Sequence, residues 1–358
     1  MINTWIQKAL HGQLWVILIT VAVIVGGAFA IGRLPIDAVP DITNVTVMVN
    51  TKTGALAPEE VEKTVTFPIE SELAGLPDVQ DIRSLSKYGL SQVIVVFSDD
   101  TDIYFARQLV NERIQSIRDK LPEGLSPELG PVSTGLGEIF MYAVVAKKGS
   151  VLSQLSQKEQ LTYLRTVQDF IIKPAIKSVP GVAEVESNGG YKKEIHIDVD
   201  PQKMDIYGIT CHQMVKALEK VGENYGGGYI QVEGKQIIVR TYGKIDALQQ
   251  IKNLPVRINV YGAPIRVWQV AEVVEGNQQR LGAATFNGEE AVLGTVLMRI
   301  NANSREVSQA IEKYISEISL PPDVQIKTLY TRSFLVNATI KTVARNLTEG
   351  GLLVIAIL

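Results

Sequence analysis

The sequence has a single cysteine, Cys211, and only three histidines among 358 residues. One thiol closes no intrachain disulfide and so few imidazoles build no histidine-rich metal cage, so stability must come from packing. Neither sign of charge is in excess. The 35 Lys and Arg against 38 Asp and Glu leave a formal charge of −3, which argues against a nucleic-acid partner held through its phosphates. Apolar residues make up 46% of the chain and charged ones only 20%, which excludes a disordered polymer. The apolar excess gathers at the two ends.

From Leu14 to Gly32 the chain reads LWVILITVAVIVGGAFAIG without a charge, about 28 Å as a helix and close to the hydrocarbon thickness of a bilayer. The expectation is a transmembrane helix over 12–33. A secretory signal is the alternative, because Ala28-Phe29-Ala30 fits a small-x-small cleavage site. Ahead of it, Ile2, Trp5, Ile6, Ala9 and Leu10 form one apolar stripe, so residues 1–11 read as an amphipathic helix in the interface plane. At the other end GGLLVIAIL, Gly350 to Leu358, is too short to cross a membrane. Residues 332–358 are therefore expected to lead into a second span that is only begun, and the chain reads as the N-terminal portion of a longer polytopic protein.

Between the ends lies an internal repeat. LPDVQDIRSLSKY, Leu76 to Tyr88, aligns without a gap to VPGVAEVESNGGY, Val179 to Tyr191: Pro, Val, Ser and Tyr coincide. Around the first copy the periodicity predicts a strand at 45–51, a helix at 58–74, a hairpin at 79–97 turning at Tyr88-Gly89, a helix at 102–120 and a strand at 129–132. That order, βαββαβ, is the split βαβ or ferredoxin-like unit, here 34–135. The second copy starts alike, with a strand at 139–145, a helix at 158–177 and a strand at 182–187. Its other half, a strand at 291–299, a helix at 304–318 and a strand at 324–329, comes only after an insertion. The second unit thus occupies 136–187 and 278–331, with a small α/β subdomain at 188–277 placed where the first copy has a tight turn. The fold class expected is a membrane-anchored α+β protein.

The insertion carries NYGGGY, Asn224 to Tyr229, read as a loop because three successive glycines free the backbone. It is no phosphate cradle: counting back from Gly234-Lys235 puts Tyr229 where a glycine belongs, and Gln236 follows the lysine in place of a hydroxyl. The aspartates 99, 100 and 102 fail a calcium loop, since position twelve falls on Val110, Asn111 or Arg113, and they suit the N-terminus of the next helix. Thr210-Cys211-His212-Gln213-Met214 is the one soft-metal grouping. On a helix Cys211 and Met214 share a face at i, i+3 while His212 points elsewhere, so Cys211 and Met214 are metal candidates with core packing as the alternative. Met48, Met141, Met204 and Met298 read as fillers of the sheet-to-helix core. No triad or carboxylate pair stands out, so neither a catalytic residue nor a cofactor is expected.

Longer motifs carry a resemblance. LPIDAVPDITNVTVMVNT (34–51), EEVEKTVTFPIESELAGLPDVQDIRSLSKYGLSQVIVVF (59–97), TDIYFARQLVNERI (101–114), GPVSTGLGEIFMY (130–142), GAPIRVWQVAEV (262–273) and the run from Arg280 to Arg299 resemble the heavy-metal-efflux branch of the resistance-nodulation-division transporters, the CusA/CzcA type. Leu281 and Leu293 depart from its commonest residues. The resemblance implies an inner-membrane pump subunit of a Gram-negative cell, with residues of about 34–335 in the periplasm. It implies a homotrimer working with a periplasmic adaptor and an outer-membrane channel to export metal cations against protons. The repeats would be two porter subdomains and the insertion a docking subdomain. Tyr225, Gly226, Gly227, Gly228 and Tyr229 would lie on or beside the arm toward a neighbouring protomer. The proton relay and the metal-selecting methionines would belong to segments beyond Leu358, so the choice between Cu/Ag and Zn/Co/Cd/Ni stays open. Arg83, a cation where the second copy has Glu186, is the candidate for the periplasmic cleft; an ordinary surface arginine is the alternative. A multidrug pump and a membrane-anchored interaction module without transport activity are the competing functions. If the first span is retained, mass spectrometry of membrane-extracted protein will find Met1 to Leu10 still attached; cleavage after Ala30 would sink the anchored reading.

Overall fold

A computed structural model of the protein describes residues 12–31, 43–219, 226–232, 235–240, 248–259, 261–280 and 282–357. The amphipathic segment expected at 1–11 lies outside them. The first helix, α1 (Gln13–Ile31), has 19 residues and no acidic or basic side chain at either end. Its apolar side chains are turned outward, Leu14 74% exposed and Ile24 64%. At 1.5 Å per residue it measures about 28 Å, just under the hydrocarbon thickness; among the described residues no helix is long and apolar enough to cross a membrane.

The first unit contains strands β1 (Thr46–Lys52), β2 (Val79–Lys87), β3 (Leu90–Phe97) and β4 (Pro127–Leu129). They form one antiparallel sheet in the order β2-β3-β1-β4, with Thr46 opposite Val96 and Asn50 opposite Glu128. This is the ferredoxin-like order. Alternation sorts the faces: Val47, Val49, Val93, Val95 and Phe97 point to the helices and are buried. Helix α2 covers 58–73 and α3 is Ile103–Ile117, whose Ile103, Ala106, Val110, Ile114 and Ile117 make the apolar stripe that meets them. Asp102 caps α3, its carboxylate accepting from the backbone N–H of Tyr104 and of Phe105 at 2.9 Å each.

The second unit repeats the order. Strands β5 (Glu138–Ala146) and β6 (Val182–Asn188) precede the insertion; β13 (Ala284–Phe286), β14 (Glu289–Met298) and β15 (Val324–Thr331) follow it. β14 is bonded to β5 on one side and to β6 on the other, and β15 closes the far side of β5. Helices over 157–177 (α4) and Ser304–Glu317 (α9) cover the face that carries Phe140, Tyr142, Val144, Val185, Val292 and Val296. Ser156 and Glu159 form a capping box at the start of α4.

Within the insertion β7 (Lys193–Val199) and β12 (Ala271–Asn277) pair antiparallel over their whole length, Lys193 opposite Asn277. The chain therefore enters and leaves side by side. Between these legs stand α5 (Pro201–Ile206), α6 (Cys211–Glu219), the hairpin β8 (Gly226–Val232) with β9 (Lys235–Arg240), α7 (Leu248–Lys252), β10 (Pro255–Ile258) with β11 (Pro264–Arg266), and α8 (Val267–Val270). Met204, Ile209, Met214, Ile251, Val267 and Val270 form their core. The last helix, α10 (Arg332–Ile357), follows β15 with no residue between them. At that junction the Glu312 carboxylate accepts from the hydroxyls of Thr331 (2.6 Å) and Ser333 (2.8 Å), and Arg332 is buried with a bond to the Leu136 carbonyl.

Three expectations are corrected. Gly226 to Tyr229 belong to a strand, not a loop: between the pairs Gly226–Arg240 and Tyr229–Ile238 the β8 side has one residue more than the β9 side, so the glycines accommodate a β-bulge inside a hairpin. Asn224 and Tyr225 lie outside the described residues. Met48 and Met141 are not core fillers: neighbouring residues Val47, Val49, Phe140 and Tyr142 take the helix-facing positions. Met48 instead accepts amide hydrogen bonds from Gln92 (3.2 Å) and Asn50 (3.5 Å). The last strand of the first unit ends at Leu129 instead of beginning there.

Both helices that start a unit are interrupted at matching places. In α2 the stretch Glu62–Thr66 is π-helical, and in α4 the stretch Gln168–Ile172 is; Phe67-Pro68 and Lys173-Pro174 follow directly. A proline inside a helix has no N–H to donate and its ring collides with the carbonyl four residues back. Widening the turn, so that Phe67 bonds Glu62 and Lys173 bonds Gln168, lets the helix continue past it. Buried polar groups pin each wide turn to its sheet. Thr66 shares hydrogen bonds with Ser86 and Ser91 at 2.8 Å each. Gln168 accepts from the Tyr142 hydroxyl and donates to Ser187, both at 3.1 Å. Burial raises the Tyr142 phenol well above its ordinary range, so it stays a neutral donor.

The Tyr142 ring lies over Gly294, its partner across the β5–β14 ladder, and a Cβ on Gly294 would overlap the ring. Gly294→Val is expected to lower stability by about 1–3 kcal/mol through overpacking, read as a drop in thermal midpoint; an unchanged midpoint would show that the ring has room to move.

Candidate functional site

The residues singled out in the sequence do not converge. Arg83 stands on β2, an edge strand, with its side chain 73% exposed and paired to Asp81 at 2.7 Å. That is the geometry of a surface arginine. Cys211 is exposed whereas Met214 is buried in the core of the insertion. Thr210 and Gln213 instead form a reciprocal cap at the start of α6: the Gln213 N–H donates to the Thr210 hydroxyl and the Thr210 N–H to the Gln213 side chain. Among the described residues no group of three or more His, Cys, Asp or Glu is placed to hold a metal ion.

The chemistry concentrates where the insertion joins the second unit. The outgoing chain passes Asn188 to Lys192 and the returning chain passes Gln278 to Arg280; the Gln278 N–H donates to the Lys192 carbonyl at 2.9 Å. Arg165, on α4, holds the outgoing chain. Its guanidinium donates to the Gly189 carbonyl at 2.7 Å and to the Asp169 carboxylate at 2.8 Å. Arg280 holds the returning chain, bidentate to Glu290 at 2.7 and 3.2 Å, with its guanidinium 4.5 Å from the centre of the Tyr191 ring. Lys158 approaches the same ring at 5.9 Å. The Asn277 amide donates to the Thr162 hydroxyl at 3.2 Å, tying leg β12 to α4. The two-stranded legs are thus clamped to one helix and one strand of the second unit. The sequence quoted Tyr191, Arg280 and Glu290 within motifs, but spacing gave them no role: Arg280 and Glu290 stand ten residues apart in one run, and the Tyr191 ring that completes the clamp is 89 residues from Arg280.

The fold now stands as two ferredoxin-like units, the second split by an insertion with its own core. The sequence profile of the AcrB/AcrD/AcrF family matches residues 1–358. The chain belongs to that family. Among its relatives, Protein HelA of Legionella pneumophila is 48% identical over 360 residues, covering 100% of this chain and 34% of that protein. The cobalt-zinc-cadmium resistance protein CzcA of Cupriavidus metallidurans is 46% identical, covering 97% and 33%. A crystal structure of a heavy metal efflux pump superposes with a TM-score of 0.85 at 31% identity, over 97% of this chain and 34% of that one. These similarities fall on the heavy-metal branch to which the motifs pointed, and the chain spans about a third of the length of the curated relatives it matches.

The Arg280 guanidinium holds the Glu290 carboxyl below the usual carboxylate range. A depressed carboxylate adds stability that is present above its unfolded pKa and is lost as pH falls through its folded pKa. Glu290→Gln is therefore expected to speed amide exchange over the β13–β14 hairpin at neutral pH. The difference from the parent should vanish in acid below the carboxylate range.

Proposed function

We propose that the chain is the N-terminal portion of the inner-membrane subunit of a heavy-metal efflux pump, exporting cations in exchange for protons. The observation that carries this is the pairing of the split two-unit fold with extensive identity to metal-resistance proteins. CzcA suggests the cargo class: cobalt, zinc or cadmium. In this reading α1 inserts in the membrane, since its described apolar side chains, Leu14 to Val25 among them, are turned outward. The two units and the insertion then stand in the periplasm, and α10 leads back toward the bilayer. The working assembly is a homotrimer with a periplasmic adaptor and an outer-membrane channel. The β8–β9 hairpin, with Gly226 to Tyr229, is its arm to a neighbouring protomer. Rigid units of this kind alternate access by hinge rotation, opening and closing a cleft without unfolding. The metal is cargo, and its selecting ligands lie in the rest of the pump.

The test is expression of the full-length protein with its adaptor and channel in a metal-sensitive Gram-negative strain. Tolerance to zinc, cobalt and cadmium should rise severalfold, and a protonophore should abolish export from preloaded cells. A rise in tolerance to organic drugs alone would favour a multidrug pump; no change in either would favour an interaction module.

A further inference from the structure

The joint of the insertion encloses a cleft of about 360 Å³. Among the described residues its lining includes three cationic side chains, Arg165, Lys192 and Arg280, and no carboxylate, in a protein whose formal charge is −3. Asp169 and Glu290, which fix the two arginines, are not part of the lining. The two arginines are thus held in place by carboxylates outside the lining. Each guanidinium has five N–H donors; Arg165 spends two on Asp169 and Gly189, and Arg280 spends two on Glu290 and a further one on Tyr191, so both keep donors for a further acceptor. Asp169 and Glu290 balance the two arginines, so the net positive charge at the cleft comes from Lys192 while the guanidinium donors supply directional hydrogen bonds, and 360 Å³ is the size of a small-molecule site. Gly282 also lines the cleft, and a Cβ there meets nothing within 4 Å. A larger side chain would fit the backbone there and add bulk to the lining.

We propose that this cleft binds a small multivalent oxyanion, a di- or tricarboxylate or a phosphate, which bridges Arg165 of the porter-like unit to Lys192 and Arg280 at the two crossings of the insertion. Bound there, the anion ties helix α4 to both legs at once and fixes the insertion's angle on the sheet. The proposal stands apart from the cargo of the pump.

The experiment is lysine footprinting of the full-length protein in detergent. Acetylation by an N-hydroxysuccinimide ester is mapped by peptide mass spectrometry with citrate, with inorganic phosphate, and with neither. At about ten times its Kd an anion should cut labelling of Lys192 roughly tenfold. Lys147 and Lys148, outside the cleft, should not change. Protection by citrate alone or by phosphate alone identifies which oxyanion the cleft takes. Gly282→Leu should abolish protection without moving the thermal midpoint. Arg280→Gln should weaken protection in an independently folded variant. Equal labelling of Lys192 with and without both anions would overturn the proposal. So would equal protection of Lys147 and Lys148, which is ionic screening, or protection that survives in Gly282→Leu.

Discussion

The β14 ladder is the interaction on which the rest of the second unit depends. Residues Glu289–Met298 must reach the gap between β5 and β6 before that sheet exists, yet the whole insertion lies between Ser187 and its ladder partner Gly294. Closing a long loop costs entropy that grows with the logarithm of its length. The paired legs β7 and β12 reduce that cost, because once they zip together the ends of the insertion are already adjacent. Arg165 and Arg280 then hold those ends against α4 and β14. A folded insertion delivers β14 to its slot, and a folded slot anchors the insertion.

Much of this architecture was legible because both units obey local rules. Alternation in β1 and β3, the stripe Ile103–Ala106–Val110–Ile114 and the cap at Asp102 each act over a few residues and read directly from sequence. The repeat around Pro77 and Pro180 exposed the duplication, and the separation of its second half exposed the insertion. What stayed hidden depends on long-range partners. The triple glycine looked like a loop because glycine disfavours strands, but pairing with β9 overrode that preference. Pro68 and Pro174 were visible inside helical patterns. Their consequence, a π turn in each, follows only when the helix must continue across a sheet it is already packed on. The clamp at the joint was least legible of all, since Arg165, Tyr191 and the Arg280–Glu290 pair come from three separate stretches.

The two wide turns also show how the duplicated units diverged while keeping one solution. In the first, three hydroxyls meet; in the second, an amide, a phenol and a hydroxyl do. Each set satisfies buried polar groups that would otherwise cost about 1–3 kcal/mol apiece. The larger Tyr142 in the second set needs the bare backbone of Gly294 beneath it, which accounts for a glycine in the middle of a central strand.

The junction at Thr331 and Arg332 has a mechanical meaning. Strand becomes helix there without a flexible spacer, and Glu312 grips both sides of the seam. A rotation of α10 about its own axis has no joint in which to dissipate. It is delivered as torque to β15, which is hydrogen-bonded to β5 and through it to the whole sheet. The helix and the sheet behave as shaft and blade, so a small turn at the far end of α10 becomes a tilt of the entire second unit.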